Sequence, residues 1–445
     1  MDRPGFLLPT GFSGSIAAAA TSESFDFVAA YARRKNGNYF AGSRGEEPTA
    51  TAVPRSSSGY NMLYEDLTRY WLGEEVLNTS SDSASFLLKG TLKLGDAHSL
   101  EVACNDYRSD YGEMMPSSII RGDGSFQNDL SNVHSGSWTA KYKFNPDTDL
   151  VSLNVNLFHT DVENRINTSY CAEPYGCAPQ RYAQKNTRWG VTIDNTSEFD
   201  TAIGDFSFNY GGAFTHEGVS PLDGSLVDRD GWRREWSGFF ATEYKPIDWL
   251  TLNASMRYSD FKSQDRSGGT GFYRIYRYQE ADGSIIELNF DQRTAYLAAG
   301  GSGTFRGLQT FRPTNDEPHT GSGVTPMFSA LVGPVQDLQF YGQYSEAIRL
   351  PSLFETTIGW STDMGPGFSD QPEHARNWEI GINWMRDGVL TEGDKLRFKA
   401  SYFDNAVNDC ITQIYSGDSS ARLQLANIDY AKLQGFEISS SCDSG

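Results

Sequence analysis

Apolar and polar residues alternate along most of this chain, and the alternation breaks at regular intervals. Between Ser85 and Asn105, Phe86, Leu88, Leu92 and Leu94 take one side of a two-residue period, with Lys89, Thr91 and Lys93 on the other. Gly95-Asp96-Ala97 turns the chain, and Leu100, Val102 and Cys104 resume the apolar side. Trp138, Ala140, Tyr142 and Phe144 run into a turn over 145–149 and out through Val151, Leu153, Val155 and Leu157. Further tight turns are predicted at 21–23, 201–205, 245–248, 333–337 and 387–394. A pair of strands of about ten to twelve residues fills only half the distance from one turn to the next. The rest is predicted as long polar loops over 35–83, 108–134, 161–185, 217–234, 263–324, 346–374 and 407–424.

Short turns on one edge and long loops on the other predict an all-β fold, a transmembrane antiparallel β-barrel of the bacterial outer membrane. The alternation also predicts orientation. Phe86, Leu88, Leu100, Val102, Val151, Leu153, Val155, Leu250, Leu252, Phe398 and Ala400 face lipid, whereas Lys89, Lys93, Asn154, Asn156, Asn253, Lys399 and Ser401 face the lumen.

Composition agrees. Hydrophobic residues make up 38% of the 445, low for a large globular core, and aromatics 13%, which suits interfacial girdles. No window nears eighteen consecutive apolar residues, so no transmembrane helix is predicted. The net charge of −20 excludes a general nucleic-acid binder and fits acidic outer loops. No serine-hydrolase elbow, phosphate loop or zinc-protease helix is present, so neither an enzyme nor a cofactor is expected.

Five cysteines are too few for a disulfide scaffold. Cys171 and Cys177 share one outer loop and are expected to pair in an oxidising compartment; no histidine flanks them to complete a zinc site. Cys104 and Cys410 are expected to be small packing residues. Both chain ends read as cut: 1–20 carry no export signal, and the strand pattern runs almost to Gly445. A piece with unclosed edges is expected not to transport alone.

The stretch from Tyr341 to Glu355, with Arg349, Pro351 and Ser352-Leu353-Phe354-Glu355, resembles the strand and loop start of TonB-dependent receptors. Gln371-Pro372-Glu373-His374 leading to Glu379-Ile380-Gly381 is similar to that family's start of the following strand. Asn427 to Glu437, with Ala431 and Gly435-Phe436-Glu437, is similar to a third segment. The resemblance implies that 1–445 is part of the receptor barrel, about sixteen of some twenty-two strands, without the plug domain, the segment that contacts TonB, or the closing strands.

It further implies TonB-dependent active uptake of a scarce, bulky nutrient across the outer membrane, with the outer loops capturing the ligand. In the haem-receptor branch a histidine between the two motifs ligates iron. Here no histidine lies between Pro351 and Pro372, and His374 follows, so a ferric siderophore is expected ahead of haem, with a haem or haemoprotein receptor as the alternative. Arg349, Pro351, Glu355, His374, Trp360 and Tyr111 are the candidate ligand-side residues, with Tyr107, Tyr273, Tyr276 and His319 as further loop candidates. Arg349 is also expected to hold its loop through Glu346 or Glu355. The rival from another class is a secreted all-β hydrolase or carbohydrate-binding protein, whose strands would be shorter and whose tight turns would not keep to one edge.

Overall fold

The computed structural model describes residues 11–45, 72–113, 127–172, 176–225, 229–266, 273–288, 290–311, 318–357, 362–364, 371–389, 391, 393–415 and 423–443. Its strands are β1 (Phe12–Thr21), β2 (Phe25–Asn36), β3 (Tyr39–Phe40), β4 (Glu75–Val76), β5 (Ser81–Leu94), β6 (His98–Tyr111), β7 (Ser131–Phe144), β8 (Ser152–Ala172), β9 (Gly176–Thr201), β10 (Gly204–Pro221), β11 (Gly231–Ile247), β12 (Leu250–Asp265), β13 (Tyr273–Gln279), β14 (Ile285–Leu288), β15 (Thr304–Phe311), β16 (His319–Val335), β17 (Leu338–Arg349), β18 (Thr362–Met364), β19 (Glu373–Asp387), β20 (Lys395–Tyr415) and β21 (Leu423–Asp443), with one helix, α1 (Phe290–Ala298).

One sheet carries the fold, in the order β1-β2-β5-β6-β7-β8-β9-β10-β11-β12-β16-β17-β19-β20-β21-β18. Fifteen of its strands form an antiparallel meander. The sixteenth, β18, lies parallel to β21 over three residues and belongs to an outer loop rather than to the wall. All seven predicted tight turns are hairpins of this meander, so alternation of direction sets them on one edge and the long connections on the other. Four of these turns use the left-handed backbone region: Gly95 at φ 64°, Gly204 at φ 123°, Asp337 at φ 70° and Gly388 at φ 69°. No helix among the described residues is long and apolar enough to cross a membrane; the strands do the crossing.

Direct cross-strand partners share a face, so the register assigns the two sides. One side carries Ile193, Tyr210, Phe240, Met256, Phe328, Phe340 and Ile380, all between 44% and 61% exposed. The other carries polar ladders: Lys89 to Glu101 at 2.6 Å and Glu101 to Lys141 at 3.7 Å, with Asn154 donating to Asp194 and Asn253 to Ser329. Exposed apolar rows on one side and paired polar groups on the other describe a wall between lipid and a polar lumen. The predicted facings hold throughout the strands; Val151 precedes β8 and lies in its turn.

Several regions expected as loops are strand. The stretch 161–185 is the far end of the β8–β9 hairpin, whose arms are 21 and 26 residues long, about twice a membrane crossing. The ladder persists in water because each strand satisfies the other's amides. Within 263–324 the chain builds a small sheet of its own, β14-β13-β15, with α1 packed on β13 and β14.

Candidate outer-edge ligand site

β17 leaves the wall at Arg349, and the chain folds back as a short strap, 350–357. Leu350, Pro351, Leu353, Thr356 and Thr357 are all buried. Ser352-Leu353-Phe354-Glu355 closes on itself reciprocally. The Ser352 amide donates to Glu355 Oε2 at 2.7 Å, and the Glu355 amide donates to Ser352 Oγ at 3.3 Å, the arrangement that a Ser-x-x-Glu spacing favours. The strap lies on the luminal side of β11. A Cβ on Gly231 would come within 2.6 Å of Thr357 Cγ2, so only glycine leaves room there.

Arg349 is the centre of the arrangement. Its Nη1 donates to both Glu355 oxygens at 2.9 and 2.8 Å, while Nε and Nη2 grip Glu373 in a fork at 2.6 and 2.8 Å. Glu373 Oε1 also accepts the Ile411 amide at 2.7 Å. One guanidinium thus ties the end of β17, the strap, the start of β19 and, through Glu373, β20. The hydrogen bonds to Glu373 and then Glu355 push the Arg349 pKa up. Arg349 and the Ile411 amide hold the Glu373 carboxyl below its ordinary value. Burial pushes Glu355 up, but hydrogen bonds from Arg349 and Ser352 outweigh it and leave its pKa lowered. Of the two expected holding partners, Glu355 is correct, and Glu346 bonds elsewhere.

His374 sits on the outward face of the β17–β19 pair, the side that carries Phe340 and Ile380. The register places it opposite Ile348, one step from Glu346–Arg376 and two from Tyr344–Trp378, whereas Arg349 pairs with Glu373 toward the lumen. Its Nε2 is 2.9 Å from Glu346, and Glu346 also accepts from Tyr344 Oη. A carboxylate can only accept, so Nε2 carries the proton of this hydrogen bond.

The remaining candidates are spread apart. Tyr111 and Tyr107 lie on the luminal face of β6, opposite Ser131 and Ser135 of β7, and burial pushes the Tyr111 phenol up. His319 starts β16, across from Ser263. Tyr273 and Tyr276 belong to β13 in the loop sheet, where the Arg293 guanidinium stacks on Tyr276 at 4.7 Å. Trp360 lies outside the described residues. Cys171 and Cys177 are directly opposed in the β8–β9 ladder, a register compatible with a cross-strand disulfide. We expect a non-reducing peptide map of the protein from outer membranes to contain one linked peptide joining them; two separately alkylated thiols would show otherwise.

Sequence reasoning missed the residues beneath the strap. Arg229 lies over the Phe354 ring at 4.7 Å. Arg233, only 9% exposed, spans Glu217 at 3.8 Å and Glu235 at 2.9 Å and covers the fully buried Phe261 at 5.5 Å. Their signal was present: in Trp232-Arg233-Arg234-Glu235-Trp236 the parity that turns Trp236 outward turns Arg233 and Glu235 inward.

A wall with one apolar and one polar face, short turns on one edge and strapped loops on the other is the architecture of an outer-membrane receptor barrel. The chain belongs to the family described as TonB dependent receptor-like, beta-barrel, whose profile matches residues 95–442. It is 27% identical to the Hemophilin receptor of Acinetobacter baumannii across 97% of its own length and 50% of that protein's. A shorter stretch, 23% of the chain, is 33% identical to the Heme/hemopexin utilization protein C of Haemophilus influenzae over 17% of that protein. In fold it is similar to the Serratia marcescens hemophore receptor HasR, solved with its hemophore HasA and heme, at a TM-score of 0.67 and 21% identity over 97% of this chain and 59% of that one. The chain spans half the length of the Acinetobacter protein.

Proposed function

We propose that the chain forms the barrel of an outer-membrane receptor for TonB-dependent uptake of haem presented by a carrier protein. The observation that carries this reading is the similarity along nearly the whole chain to a protein named for hemophilin. His374 has a carboxylate partner in Glu346 at 2.9 Å, but its outward facing sets it apart from a luminal path. The β14-β13-β15 sheet with α1, built in the connection between β12 and β16 on the outer edge, adds surface for a carrier protein.

This reading puts haem ahead of the siderophore expected from sequence, because the relative similar over nearly the whole chain is named for hemophilin. A ferric siderophore is the second reading, favoured by the absence of histidine between Pro351 and Pro372. Uptake against tight binding needs work, which the TonB complex would supply. The test is a titration of the full-length protein with haem and with ferric siderophores. We expect submicromolar haem binding with a Soret shift that His374→Ala leaves in place. Loss of haem binding in His374→Ala would overturn the outward facing of this histidine, and siderophore binding instead of haem would select the second reading.

A further inference from the structure

The outward face of β10–β12 is not uniform. Gly212 lies directly opposite Gly238, leaving a strip without side chains. The neighbouring pair toward the outer edge is Phe214–Trp236, with ring centroids 4.2 Å apart, and the pair toward the turns is Tyr210–Phe240. Ile193 faces Gly212 from β9. Ile193, Tyr210, Gly212, Phe214 and Trp236 line a groove of about 440 Å3 whose surface is mostly apolar, and Gly238 flanks it across from Gly212. The floor is open, since a Cβ on Gly238 would meet nothing nearer than Gly211 O at 3.9 Å.

One step beyond Trp236, the register sets His216, Arg234 and Lys262 in a row on the same face. Arg234 and Lys262 are exposed. Other basic side chains nearby are paired: Arg233 with Glu235, Lys245 with Glu243, and Arg266 with Asp230. Among the described residues Arg234 and Lys262 have no carboxylate within ion-pair distance; the acidic group facing them is Asp260, opposite Trp236. The Arg234 guanidinium rests over the Trp232 ring at 4.9 Å, which orients it without neutralising it.

The height of this row follows from strand length. Tyr244, stacked on Phe206 at 4.3 Å, marks the girdle next to the turns, and Trp236 against Phe214 marks the opposite one. The stretch from Tyr244 to Arg234 corresponds to the ~10 residues that a tilted strand needs to cross. The groove therefore lies in the outer half of the membrane, and the basic row lies at the level of the outer head groups.

We propose that this face binds a phosphorylated lipid of the outer leaflet, its phosphate held by Arg234 and Lys262 and one acyl chain lying on the Gly212–Gly238 floor. An apolar slot accepts an acyl chain, and two unpaired cations above it select an anionic head group. The inference rests on the assignment of lipid-facing rows and is independent of which nutrient the receptor carries.

The test uses the full-length protein extracted in mild detergent and titrated, under native mass spectrometry, with the bisphosphorylated glycolipid lipid A and with zwitterionic phosphatidylethanolamine. We expect wild type to prefer lipid A. R234Q/K262Q should weaken lipid A binding by about 30-fold, roughly fivefold for each basic side chain lost, and leave phosphatidylethanolamine unchanged. G238L, which fills the slot at an exposed strand position, should also weaken lipid A binding with both cations in place. Retained heat-modifiable migration on gels confirms that each variant is folded, and single K262Q serves if the double variant is not. Equal affinity of wild type for the two lipids, or lipid A binding unaffected by R234Q/K262Q, would overturn the proposal; wild-type binding by G238L would overturn the acyl-chain placement.

Discussion

Arg349→Ala is expected to raise the rate of proteolysis between Ser352 and Gln371 by about 30-fold in the folded protein. The substitution leaves two largely buried carboxylates, Glu355 and Glu373, without their cation, and their side chains are only 19% and 14% exposed. Unpaired, partly buried charges of this kind cost about 2 kcal/mol, discounted here because the Arg349 side chain is itself 44% exposed. Where opening is fast relative to cleavage, that cost converts directly into the population of the open loop. Arg349→Lys should recover only part of the loss, since an ammonium cannot grip two carboxylates through a planar fork. Equal cleavage of wild type and Arg349→Ala would show that the cluster does not hold the strap.

The same staple has a pH signature of fixed sign. Glu355 and Glu373 are both held below their ordinary values in the folded protein. Their contribution is therefore complete above the ordinary glutamate pKa of about 4.3, and it is lost as pH falls below that through the lowered folded values. Acid should thus loosen the strap in wild type and change little in Arg349→Ala.

The second large effect separates neighbours in one strand. Met256 is 57% exposed on the outward face, and Ser255 beside it faces the lumen opposite Met327 and Ala241. Met256→Arg is expected to destabilise the barrel in lipid vesicles by about 2–4 kcal/mol in urea unfolding, because a charge at mid-membrane depth has no water to solvate it. Ser255→Arg, in the polar lumen, should stay within about 1 kcal/mol. Equal costs at the two positions would contradict the assigned facing.

The wall was legible in the sequence because a two-residue period and a tight turn are both local signals. Leu88, Val102, Leu153 and Leu252 fall on the outward face, and Lys89, Asn154 and Lys399 on the inner, as the alternation requires. The outer ends of the strands were not legible. Arg181, Tyr182 and Lys185 are polar enough to read as loop, yet they pair across the β8–β9 hairpin because a ladder in water needs only a partner strand. The site was half legible. Ser352 and Glu355 announce their turn through spacing, and Arg349 points to a nearby carboxylate. Its stronger grip on Glu373, and the contact of His374 with Glu346, depend on the β17–β19 register across a long connection, which no local pattern encodes. Arg229 under Phe354 depends on a strap crossing to a distant strand.

The wall keeps its irregularities away from the bilayer. Its pairing slips between Tyr244 and Ile247 against β12 and between Val332 and Val335 against β17, in both cases at the tight-turn edge, while the ladder above each slip runs unbroken. Shifting a strand by one residue exchanges its lipid and lumen faces, so each slip absorbs a length difference where neither face touches acyl chains. Evolution can therefore add or delete single residues at this edge without rewriting any strand. The same change made at Gly238 or Met256 would turn every side chain beyond it inside out.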